Sequence, residues 1–151
     1  AYGTHVVDVE VDPETGKVTV LRYTAVQDVG TAIHPSYVEG QIQGGGVQGI
    51  GWALLEECRW ADGAMANAQL TNYLIPTAPD VPPIRVAFLE TPYPFGAQGA
   101  KGLGELPLDG PAPAIVNAIA DALGVEPTAI PVTPERVMHY VGAKRGTRSA
   151  E

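Results

Sequence analysis

The side chain best placed for chemistry is Glu105, which closes the stretch GAQGAKGLGE at residues 96 to 105. Four glycines precede it. Glycine permits backbone conformations closed to other residues and lets another group approach the main chain closely. Such a loop would hold the carboxylate at a tip free of other side chains, and the following LPLDGPAPAIV would anchor it to a buried helix. A carboxylate held in a dry pocket can have a raised pKa or a lone pair aimed at a substrate, as a general base requires. A surface turn with an acid beside a helix start has the same composition, so residue types alone leave both readings open.

A second glycine-rich stretch, GQIQGGGVQGIG at residues 40 to 51, contains the pattern G-x-G-x-x-G from Gly44 to Gly49. A dinucleotide loop needs a strand before it, a helix opening at its third glycine and an acid about 20 positions on. Here PSYVEGQIQ precedes it and NAQLTN lies where the acid should be, so a nucleotide-binding module is a poor reading of these residues. Finding residues 40 to 49 in the middle of a helix would eliminate it. The three histidines, His5, His34 and His139, lack metal-ligand spacing, and the single Cys58 allows no intrachain disulfide, iron–sulfur cluster or cysteine zinc site.

The elements that must position these residues are legible in part. Residues 4 to 12 and 17 to 24 alternate apolar and polar with period two around the turn PETG, which predicts a β-hairpin. Pro35 ends the second strand, and Ser36 with Glu39 forms a capping-box pattern opening one long helix that runs to residue 57. CRWADGAMANAQL reads as strand, turn and strand, and PPIRVAFLET as an edge-like strand. Residues 91 to 111 have no period and read as a long functional loop. PAPAIVNAIADALG is an amphipathic helix stopped by Gly124, and TPERVMHYV begins a short helix at a Thr cap. The expected class is α+β: a mixed sheet with a glycine-rich helix and C-terminal helices, one domain over residues 1 to 141, and a disordered basic tail from 142 to 151.

Composition narrows the partners. The 151 residues hold 18 glycines and 14 prolines, well above the average share of about 12% for the two together, which suits a loop-rich globular chain. Nine Lys and Arg against 17 Asp and Glu give a net charge of −8, which argues against nucleic acid as a ligand. No apolar run approaches a transmembrane length and no signal segment stands at the start, so no membrane partner and a cytoplasmic location are expected.

Taken together, DVGTAIHPSYVEGQIQGGGVQGIGWALLEE, NYLIPTAPDVP and GAQGAKGLGELPLDGPAPAIVNAIADALG resemble, in order and spacing, the C-terminal molybdenum-cofactor-binding part of the xanthine dehydrogenase and aldehyde oxidase family. The resemblance covers nearly the whole chain. It implies part of a molybdenum hydroxylase that oxidises an N-heterocycle or aldehyde carbon with water as the oxygen source. Glu105 would be the general base, and Gln41, Gly44, Gly45, Lys101, Gly102 and Gly104 would bind a molybdenum–molybdopterin cofactor. The cofactor is held through its pterin dithiolene, with no protein ligand to the metal. Further expectations are a partner chain or domain completing the cofactor envelope, and iron–sulfur clusters and FAD on other chains. A noncatalytic assembly subunit is the alternative, against which the retained Glu105 argues. Gln27 and His34 depart from residues common in the family, which leaves substrate class open.

Overall fold

In the computed structural model, residues 1–148 are described. Strands β1 (Tyr2–Val11) and β2 (Val18–Asp28) form the expected antiparallel hairpin, with a bulge at Asp8/Val9. Alternation places one face of the hairpin inward, as period-two patterning requires. After β2 come helix α1 (Pro35–Leu54), a small hairpin of β3 (Trp60–Ala61) and β4 (Ala64–Met65), and β5 (Ile84–Leu89). β5 pairs parallel to β2, giving a three-stranded sheet ordered β1-β2-β5. Helices α2 (Leu106–Asp109), α3 (Pro111–Leu123) and α4 (Pro134–Arg148) complete the chain. The architecture is the α+β arrangement that the sequence predicts.

Several boundaries differ from expectation. The cap of α1 is His34, not Ser36: Pro35 occupies the first helical position, where a missing N–H costs nothing, and His34 Nδ1 accepts from the Tyr37 amide at 3.4 Å. Glu39 does not close a capping box and instead accepts from Gln43 one turn on, at 3.3 Å. The helix stops at Leu54 rather than at residue 57, because Glu56 and Glu57 find tertiary partners in Tyr73 and Arg136. Helix α4 runs on to Arg148, so residues 142 to 148 are helical where a disordered tail was expected. Lys144 helps hold this part by donating to Leu123 O at 2.5 Å. The rest of the expected tail, 149 to 151, lies outside the described residues.

The main core lies between the hairpin, the second half of α1, α3 and α4, around Ile50, Ala53, Ile115, Ile119, Val132 and Val137. Ile115 and Ile119 stand one turn apart on α3 and are fully buried, each contributing roughly 1.5–3 kcal/mol of burial. Gly124 ends α3 in the left-handed conformation, with φ 60°, as its position predicts. A smaller cluster of Tyr23, Ala25 and Ile42 lies under the first half of α1, and Leu103 of the glycine-rich loop packs against it.

Candidate active site

The glycines of α1 set the site's geometry. Residues 40 to 49 lie inside the helix, several residues from its N-terminus, which eliminates the nucleotide-loop reading. Gly45 and Gly49 are one turn apart on a buried face, and across from them stand Pro107 and Pro111, with the same spacing. A Cβ on Gly45 would lie 2.6 Å from Pro107 Cβ, and one on Gly49 would lie 2.5 Å from Pro111 Cγ and 2.9 Å from Leu108 O. Real Cβ atoms do not approach so closely, so α2 and the start of α3 rest on bare α1 backbone. Gly46 faces the Tyr23 ring, whereas Gly44 is exposed with nothing within 4 Å of a Cβ. Gly45, expected to bind the cofactor, instead makes its close contact with Pro107 of this chain.

With α2 seated on α1, two residues far apart in sequence meet. Gln41 Nε2 donates to Gly104 O at 2.8 Å. The next residue, Glu105, is the N-cap of α2: its carbonyl accepts from the Leu108 amide at 2.9 Å, and its carboxylate makes no capping bond. The side chain is exposed and, among the described residues, has no hydrogen-bond partner. Gly102 and Gly104 have open space where a Cβ would stand. The amides of Gly102, Leu103, Gly104 and Glu105 donate to no acceptor among the described residues. Bare main-chain amides offer donors, the Gln41 carbonyl oxygen offers an acceptor beside them, and the Glu105 carboxylate adds acceptors and negative charge, a mix that fits a group carrying both donors and acceptors, such as a pterin.

Lys101 is placed differently. Its ammonium pairs with the Asp28 carboxylate, at the end of β2, and lies 5.8 Å from the centroid of the Tyr2 ring. Asp28 also accepts from the Gly30 amide at 3.1 Å and the Thr91 amide at 3.4 Å. The Lys101 ammonium, with help from the Gly30 amide, holds the Asp28 carboxyl below the ordinary carboxylate range. Sequence reasoning missed Asp28. The available signal was an acid ending a strand that turns inward, two residues before a glycine.

Between α1 and the loop lies a recess of about 250 Å³, lined by Ile33, His34, Tyr37, Lys101 and Leu103 among others. The His34 and Tyr37 rings stack at its rim, with centroids 4.1 Å apart. A larger recess, of about 350 Å³, lies at the other end of α1 among Ile50, Leu54, Pro76 and Val132 and includes none of the candidate residues. Beneath the site, His5 hydrogen-bonds to the Tyr23 hydroxyl and its ring sits where a Cβ on Gly110 would be, at the corner joining α2 to α3. Burial lowers the His5 pKa, and the nearby Asp109 charge opposes that shift.

Residues 1–82 match the molybdopterin cofactor-binding domain family. The chain is 42% identical over 139 residues to the xanthine dehydrogenase molybdenum-binding subunit of Escherichia coli O157:H7, covering 91% of this chain and 18% of that protein. It is 37% identical to the aldehyde oxidoreductase of Megalodesulfovibrio gigas, over 94% of this chain and 15% of that one. Among solved structures, quinoline 2-oxidoreductase from Pseudomonas putida 86 superposes with a TM-score of 0.87 at 42% identity, over 93% of this chain and 18% of that one. The chain belongs to the molybdopterin cofactor-binding domains of the molybdenum hydroxylase family. It spans less than a fifth of the length of these relatives. The 139-residue alignment covers 91% of this chain, so it spans both Gln41 and Glu105.

Proposed function

We propose that this chain is the part of a molybdenum-containing catalytic subunit that carries the general base, in an oxidoreductase hydroxylating an N-heterocycle or aldehyde carbon with water as oxygen source. The observation supporting this most is the 2.8 Å bond from Gln41 to Gly104, which brings together the two regions that resemble the family's cofactor and catalytic motifs. A bound molybdenum cofactor would supply the two-electron acceptor and an activated oxygen derived from water. Glu105 would take and hold the proton that this oxygen loses as it adds to the substrate carbon. The carboxylate's lone pairs are free for that task, because neither caps α2. Gln41 spends its N–H on Gly104 and keeps its carbonyl oxygen for a donor on the cofactor, while the open amides of residues 102 to 105 donate to acceptors on it. Lys101, Gly102 and Gly104 thus contribute through the loop, and Gly44 through its exposed position on α1.

Tyr2, Tyr37, Leu70 and Phe95 are all more than three-quarters exposed, an apolar load that suits coverage by further protein. That protein would be the remainder of a molybdenum-binding large subunit. Electrons would leave through iron–sulfur clusters and FAD on other chains of a cytoplasmic complex.

The test is Glu105→Gln in the assembled enzyme. Glutamine keeps the shape and cannot accept the proton. Molybdenum content and fold should persist while turnover falls about 10²- to 10⁴-fold. Turnover within about threefold of wild type, under roughly 1 kcal/mol of barrier, would remove the base assignment.

A further inference from the structure

Glu105 stands at the end of a span that has little structure of its own. From Lys101 onward the chain reads Lys-Gly-Leu-Gly-Glu, and two glycines in four steps would leave the carboxylate poorly placed without outside ties. One tie comes from α1, through Gln41 to Gly104, and one from the small cluster on which Leu103 packs. The third comes from the sheet and grips Lys101 twice. Its backbone N–H donates to Val29 O at 3.1 Å, and its ammonium is buried against Asp28, with side-chain exposures of 13% and 8%. Just upstream, Gly99 O accepts from the amides of Thr31 (3.0 Å) and Tyr93 (2.9 Å), so the loop crosses the ends of β2 and β5 as a stitched segment. Asp28 holds both sides of that seam, through Gly30 on one strand exit, Thr91 on the other and Lys101 on the loop.

A buried ion pair is a weak source of stability, because desolvation offsets its attraction, but it is a directional tether. We propose that Asp28 and Lys101 are positioning residues for Glu105: their ion pair locks the sheet side of the 96–105 loop, and neither residue touches the reacting atoms. The inference rests on the reading of Glu105 as the base. It assigns Lys101 a task toward Asp28 in place of direct contact with the cofactor.

The assembled enzyme can test this with the double substitution Asp28→Asn/Lys101→Met, which removes the pair without leaving a lone buried charge. An asparagine oxygen can still accept from the Gly30 and Thr91 amides. Hydrogen exchange at the Thr31, Tyr93 and Lys101 amides should rise at least tenfold while α3 amides hold their rates. kcat should fall at least tenfold with KM changed less than twofold, and Lys101→Arg should retain turnover within about threefold. Placed on top of Glu105→Gln, the double substitution should cost no further turnover, since it acts through a base already removed. Unchanged exchange at the three amides would overturn the latch. So would an effect carried by KM, or a loss that adds in full to that of Glu105→Gln. Full turnover in Glu105→Gln alone would instead remove the base reading, and the exchange result would still decide whether the pair holds the loop.

Discussion

Two stretches are rich in glycine, yet Gly45 and Gly49 in one and Gly102 and Gly104 in the other are put to opposite uses. In α1, Gly45 and Gly49 remove side chains so that Pro107 and Pro111 can lie on helix backbone, and the space is fully used. In the loop, Gly102 and Gly104 remove side chains and the space stays open. The first set carries packing within this chain, and the second leaves main-chain amides bare beside Glu105. A glycine count is therefore silent on purpose; what stands opposite each missing Cβ decides it.

The largest test of this contrast is Gly49→Val. The side chain would press into Pro111 and the Leu108 carbonyl and part α1 from α3, and overpacking of this kind costs about 3 kcal/mol. A urea midpoint within error of wild type would show that the helices can separate freely. Gly45→Ala should destabilise by about 1–2 kcal/mol, because the clash with Pro107 outweighs the gain of up to about 1 kcal/mol in helix propensity. It should also weaken the Gln41 to Gly104 tie by lifting α2. Gly44→Ala, two turns into the same helix but facing open space, should stabilise by up to about 1 kcal/mol and so reverse the sign. A destabilising Gly44→Ala would mean that propensity and contact do not separate here.

In the loop, Gly102→Ala and Gly104→Ala should change stability by less than about 0.5 kcal/mol, since neither adds a clash nor starts from a positive φ. Their effect should appear instead as reduced molybdenum content in the assembled enzyme, measured by metal analysis. Acid should bring out the loop's own tether. The Asp28 carboxyl is held below its ordinary value, so the tie contributes fully above the unfolded carboxylate pKa and is lost as pH falls through the depressed one. Protection of the Lys101 amide, with the intrinsic pH dependence of exchange divided out, should fall only on that acid side; a loss of protection near neutral pH would contradict the ion pair.

Much of the fold follows from local pattern. The hairpin is visible because alternation with period two needs no partner to be read, and the end of α3 because Gly124 is the residue that most readily adopts the left-handed turn found there. The cap of α1 falls on His34 and not on Ser36, because a histidine nitrogen can replace a serine hydroxyl once Pro35 fixes the first turn. Helix α4 extends past residue 142, although a basic, polar segment has the composition of a tail, because Lys144 reaches the Leu123 carbonyl across the chain.

By itself the sequence determined the strands, helices α1 and α3, the start of α4, the glycine content of two stretches and the resemblance that singled out Gln41 and Glu105, since each is carried by neighbouring residues or by ordered motifs. It did not show α2, which lies within residues 91 to 111, read as a loop. Tertiary structure decided which glycines pack and which stay bare, and it joined Gln41 to Gly104 across 63 residues and Asp28 to Lys101 across 73. Those contacts leave no periodic trace in the chain. A polar tie depends on where two distant backbones come to rest, and that is set only when α2 settles on α1 and the loop crosses the end of the sheet.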